Sequence, residues 1–257
     1  MASAQLAGLR VGAVSYLNTK PLIWGIDASQ LVLDVPARLA ADFAAGRLDV
    51  ALQPVFATLN GGGGLLVDDV AIACHGPVFS VIVASQTEFE DCGEIYLDPS
   101  SRSSAALLRV LNAEFYGNAL RLVEGAEIPP GAARLIIGDP AIRFRHEHGT
   151  AWHYHDLGDL WLNHTGLPFV FAAWTLSRQT ADPKSVADYL RAVKTAGQAA
   201  RAEIAAGEED PAFALHYLTD YIRFDLREEE KKAIDLFGRL AARHGILSAA
   251  GAGIRYC

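Results

Sequence analysis

The sequence is short of the features that most readily declare a function. Its 257 residues include one methionine and three cysteines, Cys74, Cys92 and Cys257. The cysteines are far apart and out of CxxC spacing, which argues against a disulfide framework or a thiolate metal finger and fits reduced thiols in a cytosol. Basic charge is scarce too. Lys and Arg number 22 against 30 Asp and Glu, a formal net charge of -8, whereas a nucleic-acid binder needs a basic face to neutralise phosphates. No apolar run approaches the ~20 residues that cross a bilayer. The opening MASAQLAGLR lacks the basic start and continuous apolar stretch of a secretory signal. The expectation is a cytoplasmic protein with neither nucleic-acid nor membrane partners. An anionic ligand would have to be attracted by a local site.

What the chain has in quantity is apolar residues, 51% of the total, enough at this length for a large core. Short apolar runs alternate with helical patterns, which is the grammar of a sheet with crossover helices. LRVGAV, LVLDV and LDVALQ read as strands, and Pro36 opens a helix through ARLAADFAA that stops at Gly46. FSVIVAS reads as the last strand before a polar stretch, QTEFEDCGE, where a crossing between lobes is expected. A second block starts at IYLD and continues through the helix SSAALLRVLNAEF and the strands ARLIIG, WHYHDL and PFVFAAW. Beyond Trp174 the pattern becomes helical, with Val186, Leu190, Val193, Gly197, Ala200 and Ile204 at three- and four-residue spacing, and a further helix near 228–243. The predicted fold class is α/β and two-lobed. Residues 1–88 and 176–257, with the C-terminal helices, form one lobe and 89–175 the other, with a ligand cleft between them.

Two strand-to-helix junctions are rich in polar side chains. The first, VGAVSYLNTKPLIWGI, places Ser15, Tyr16, Asn18 and Thr19 before or within a helix start, with Asn18 or Thr19 as the cap and Pro21 in the first turn. The second, LDPSSRSSAALL, offers Ser100, Ser101, Ser103 and Ser104 around Arg102. Unpaired N–H groups and the positive end of a helix dipole suit such junctions to carboxylate or phosphate. Facing one another across a cleft, they would grip a ligand with two anionic groups. Ser80 interrupts a third apolar stretch, HGPVFSV, just after Gly76 and Pro77. His146, His148, His153 and His155 form two HxH pairs, but no cysteine or third motif completes a zinc site, and RFRHEHGT reads as an exposed loop. No metal is expected.

Six stretches, VGAVSYLNTKPLIWGI, AAGRLDVALQPV, HGPVFSVIVAS, YLDPSSRSSAALLRVL, LIIGDPAIRF and DLGDLWLNHTGLPFVFAAW, resemble in order the chorismate dehydratase family of the futalosine route to menaquinone. The resemblance runs from about residue 9 to 247. It implies a fold like the periplasmic type II solute-binding proteins, chorismate as the small-molecule substrate, loss of water to give 3-[(1-carboxyvinyl)oxy]benzoate, and no cofactor. It further implies Asn18 and Ser80 as catalytic positions. Ser15, Tyr16, Thr19, Ser101, Arg102, Ser103, Ser104 and Asp139 are the candidate substrate-binding residues. Neither Asn nor unassisted Ser has a pKa suited to taking a proton near neutrality. The family picture gives that role to the substrate's enolpyruvyl carboxylate, with Asp139 as the rival base and a cap before Pro140 as its plainer role. Two other functions share the fold: a non-enzymatic receptor for a small carboxylic acid, and 1,4-dihydroxy-6-naphthoate synthase of the same pathway.

Overall fold

The computed structural model describes residues 6–125, 127–247 and 254–257; the first five residues, part of the stretch read as leaderless, lie outside them. The chain builds two five-stranded mixed sheets. In the first, β1 (Val11–Ala13) lies between β2 (Leu31–Leu33) and β3 (Val50–Pro54), parallel to both, with Val11 opposite Leu31 and Val50. β4 (Leu65–Cys74) forms the far edge. The second sheet takes β5 (Val81–Ser85), β6 (Glu94–Tyr96), β7 (Arg121–Val123), β8 (Ala133–Ile137) and β9 (His153–Asp156), in the order β7-β6-β8-β5-β9. β10 (Phe169–Leu176) then returns to the first sheet and runs antiparallel between β3 and β4, pairing Ala173 with both Gln53 and Ala71.

Sheet membership moves two strands from where the sequence reading placed them. FSVIVAS supplies β5 of the second sheet, so the first crossing is Gly76–Ser80 and not the acidic stretch at 86–93. PFVFAAW supplies β10 of the first sheet, so the second crossing is 166–168, ahead of the strand that was expected to end the second lobe. Both strands are apolar and almost wholly buried, and a fully buried strand carries no pattern that says which sheet it joins. Trp174 is fully buried on β10 and packs in the core.

The helices follow their local chemistry. Pro36 opens α1 (Pro36–Ala44), whose Leu39, Ala40 and Phe43 face inward. A short turn, α2 (Val55–Ala57), follows β3, and α3 (Ser103–Phe115) follows β6. α4 (Asp139–His148) replaces the loop expected at RFRHEHGT; its first turn holds Asp139 and Pro140, and Gly149 ends it. The HxH pairs are thereby split, His146 and His148 on a helix and His153 and His155 on β9. α5 (Leu157–Thr165) is capped by Asp156 and closed by left-handed Gly166. α6 (Pro183–Ala199) and α7 (Arg201–Ala206) break the expected continuous helix at Ala200; α8 (Pro211–His216) and α9 (Glu228–Arg243) complete the tail. α6 and α7 pack on the first sheet's side, against the turn at 17–22, while α9 lies across β10 and α3. Among the described residues no helix is long and apolar enough to cross a membrane.

One contact in this packing bears on function. Gly197 of α6 presses against Pro21, and a Cβ there would lie 1.9 Å from the Pro21 carbonyl oxygen. In an open helix Gly→Ala gains about 1 kcal/mol. Here the backbones must part, and overpacking costs about 1–3 kcal/mol. Gly197→Ala is therefore expected to lower stability in urea denaturation, and to lower activity because the 17–22 turn is displaced.

Candidate active site

The site begins at the crossing. Phe79 adopts a left-handed backbone, φ 66°, which costs a non-glycine residue roughly 1–3 kcal/mol. Asp156 holds it there. Its carboxylate accepts from Gly158 N at 2.9 Å and Asp159 N at 3.3 Å as the cap of α5, and also from Val78 N at 3.0 Å and Phe79 N at 2.7 Å. Burial raises the Asp156 pKa above the usual carboxylate value, with those backbone donors pulling the other way. On the outer side Arg145 lies 3.9 Å over the Phe79 ring and donates to the Phe79 carbonyl at 3.2 Å. Ser80, next in the chain, is fully buried. Its carbonyl takes Gly138 N at 2.7 Å.

The second element is the turn Leu17–Leu22. It is a 3-10 turn whose N-cap is Tyr16, without a side-chain cap bond. The expected capping by Asn18 or Thr19 does not occur, because both lie inside the turn, buried against the C-terminal helices. Asn18 instead donates from Nδ2 to the Tyr217 hydroxyl at 3.2 Å, and that hydroxyl lies 2.7 Å from Ser80 Oγ. Tyr217 belongs to the turn Tyr217–Tyr221 and is fully buried, which pushes its phenol pKa up strongly against the pull of Ser80 and Asn18.

The third element is the start of α3. Ser103 Oγ accepts from Phe56 N at 3.2 Å, and Ser100 O accepts from Ala37 N at 3.2 Å, so two starts in the first lobe dock on the serine-rich junction of the second. Asp139 adds a further tie, accepting from Leu17 N at 3.0 Å. Its neighbour Gly138 lets the Tyr16 ring approach so closely that a Cβ would lie 2.7 Å from it. The lobes are thus closed on one another around a narrow cleft between them.

Of the residues singled out from sequence, Tyr16, Asn18, Ser80, Ser101, Arg102, Ser103 and Ser104 line this cleft, together with Val14, Pro36, Pro54, Ile137 and Phe171. Three do not. Ser15 is exposed, Thr19 is buried with Oγ1 3.5 Å from Asn18 Oδ1, and Asp139 is engaged with Leu17 N. Asp139 is the first residue of α4 and not its cap, which is Gly138. Sequence reasoning missed Tyr217 and Asp156. Asp156 had a signal, an Asp just before a helix pattern; Tyr217, in LHYLTDY, had none.

A two-lobed α/β protein with its site closed between the lobes is the architecture of solute-binding proteins, and solved structures agree. Protein AF1704 from Archaeoglobus fulgidus is 14% identical, with a TM-score of 0.70 over 93% of this chain and 98% of that one. The periplasmic aliphatic sulphonate binding protein of Escherichia coli is 12% identical, with a TM-score of 0.58 over 95% and 94%. The family profile described as menaquinone biosynthesis matches residues 9–243, and the chain belongs to that family. Among curated relatives, the chorismate dehydratase of Thermus thermophilus is 27% identical over 252 residues, 88% of this chain and 93% of that protein.

The Asp139 tie makes a test of closure. Asp139→Asn keeps the acceptor and removes a half-buried charge, whereas Asp139→Ala leaves Leu17 N unpaired, a loss of about 1–3 kcal/mol. Burial, the largest influence, raises the Asp139 pKa. The folded protein therefore binds the proton more tightly than the unfolded chain, and parent stability falls as pH rises from the usual carboxylate value through the raised one. Relative to Asp139→Asn, the parent should lose stability over that window in urea titrations at stepped pH, while Asp139→Ala is the least stable of the three at neutral pH.

Proposed function

We propose that the protein is a chorismate dehydratase, a hydro-lyase that converts chorismate to 3-[(1-carboxyvinyl)oxy]benzoate and water. The observation that carries the reading is what the cleft wall is made of. Among the described residues lining it there is no carboxylate, imidazole or amine; the polar side chains are hydroxyls, the Asn18 amide and Arg102. Burial raises the Tyr16 phenol above its usual value, with Asp98 adding to the rise, so it is no base near neutrality either. Such a wall binds and orients, but a proton must leave by another route. Chorismate brings its own carboxylate on the enolpyruvyl arm. That group takes the ring proton beside the ether oxygen and passes it to the hydroxyl on the adjacent carbon, which departs as water, and aromaticity drives the elimination.

In this reading the opposed walls hold the two substrate carboxylates: the start of α3, with Ser101, Ser103 and Ser104 and Arg102 at the mouth, takes one, and the Asn18 side the other. Asn18 and Ser80 hydrogen-bond charge that develops during the elimination. Asp139 as base is disfavoured by its bond to Leu17 N. The relatives' names support the substrate, and the fold alone is shared with receptors, so turnover is the deciding measurement.

Purified protein incubated with chorismate is expected to release the aromatic product, resolved by chromatography; tight binding without turnover would favour a receptor. Asn18→Asp, nearly isosteric, removes a donor and adds a repelling charge. A hydrogen bond to a charged group is worth about 1.5–3 kcal/mol, so kcat/KM should fall roughly ten- to a hundredfold. Asn18→Ala should fall less. Ser80→Ala should lower kcat more than it raises KM, the mark of an interaction made in the transition state. Parent rates in all three folded variants would remove Asn18 and Ser80 from the site.

A further inference from the structure

The hydrogen bonds around Tyr217 leave every buried proton paired in only one direction. An amide nitrogen donates and does not accept, so the Asn18 Nδ2 contact at 3.2 Å makes the Tyr217 oxygen an acceptor. A phenol has a single proton. With Asn18 donating to it, that proton goes to the neighbour at 2.7 Å, Ser80 Oγ. A serine hydroxyl that accepts through a lone pair still has its own proton to give, and Ser80 lines the cleft.

We propose that Tyr217 is a positioning residue of the active site: it fixes Ser80 as a hydrogen-bond donor into the cleft through the one-way chain Asn18 Nδ2–H to Tyr217 O–H to Ser80 O–H. The inference rests on the reading that Ser80 faces the substrate, and it adds which way the Ser80 hydroxyl points and why. Without the phenol the hydroxyl is free to turn and offer lone pairs. With it, the hydroxyl presents hydrogen to the group that gains negative charge, which in a dehydration is the departing hydroxyl. No proton moves onto the protein. Tyr217 O–H and Ser80 O–H keep their hydrogens, and water leaves with the proton that the substrate gives up.

The surroundings suit this role. Tyr217 is fully buried, its ring stacked at 5.9 Å and 19° on Phe213, so the hydroxyl has little freedom to move off the line. It does not line the cleft itself. Burial favours the neutral phenol, so the chain stays a set of hydrogen bonds and does not discharge into tyrosinate. Successive donors in a low-dielectric interior polarise one another, which strengthens the last of them.

The test is a double-mutant cycle in the full-length enzyme, with chorismate as substrate. Tyr217→Phe is expected to lower kcat about tenfold with KM changed less than about twofold, since the interaction acts mainly on developing charge. Ser80→Ala should fall further, and Tyr217→Phe should cost nothing more in the Ser80→Ala background, because Tyr217 acts only through Ser80. A second measurement avoids any folding defect of the Phe variant: enzyme carrying 3-fluorotyrosine at position 217 alone, introduced by site-specific incorporation, has a stronger phenol donor in nearly the same volume. Its kcat should rise by about two- to threefold, and the same labelling should leave Ser80→Ala unchanged. Additive losses in the cycle, parent kcat in folded Tyr217→Phe, or a fluorine effect that survives Ser80→Ala would each overturn the proposal. Parent activity in Ser80→Ala itself would instead defeat the reading of the site on which it rests.

Discussion

Everything at the site hangs on the carboxylate of Asp156. It sits where the two lobes meet, accepting backbone N–H groups from its own helix, Gly158 and Asp159, and from the crossing segment, Val78 and Phe79. A buried anion is costly, and it persists when several donors converge on it. The return is geometric. Phe79 is held left-handed, the chain turns sharply, and Ser80 enters the cleft at the first residue before β5. Because one end of the clamp caps α5 and the other grips the crossing, the orientation of Ser80 is tied to the second lobe's framework and not to loop flexibility.

The closure of the cleft repeats the same economy. Three ties between the lobes pair a backbone N–H at the start of a first-lobe turn or helix with an acceptor on the second lobe: Leu17 with Asp139, Ala37 with Ser100, Phe56 with Ser103. On the far side α9 reaches α3, where Arg243 and His244 meet Glu114 at 2.8 Å and 2.6 Å. Individually such contacts are worth about 0.5–1.5 kcal/mol. Their arrangement matters more than their sum, since the three N–H ties lie around the polar lining and hold its two walls in register.

The sequence carried most of the local structure and much of the cleft wall. Pro36 and the inward Leu39 and Phe43 marked α1, the spacing near 228–243 matched α9, and the two polar junctions do meet across the cleft. What it did not carry was partnership at a distance. VIVAS and FVFAAWTL look alike as apolar strands, and only the sheet they join distinguishes them. The turn at Leu17–Leu22 reads as a capped helix because Asn18 and Thr19 are good caps; tertiary packing against Gly197 and Tyr217 decided otherwise. Tyr217 stands 199 residues from Asn18 and 137 from Ser80, and no periodicity links such positions. RFRHEHGT looked like a loop because it is charged, yet a solvated helix face is charged for the same reason.

A net charge of -8 sets a last constraint on how an anionic substrate is received. Beyond about 8 Å physiological salt screens exposed charges, so the distant carboxylates matter little once the ligand is at the mouth. Inside, screening fails and every charge counts. The cleft wall answers by holding no carboxylate among the described residues: Asp139, close by, is turned to Leu17 N, Asp98 is engaged by Ser100 N at 2.8 Å, and Asp156 is wrapped in backbone donors. The donors that remain are mostly neutral, and neutral dipoles fixed by packing attract an anion without needing a counter-ion of their own. In the proposed mechanism, such a wall also leaves a dianion's second carboxylate basic enough to take the proton. On the proposed reading, a site crowded with arginine would bind chorismate more tightly and lower the basicity of the carboxylate proposed to take the proton.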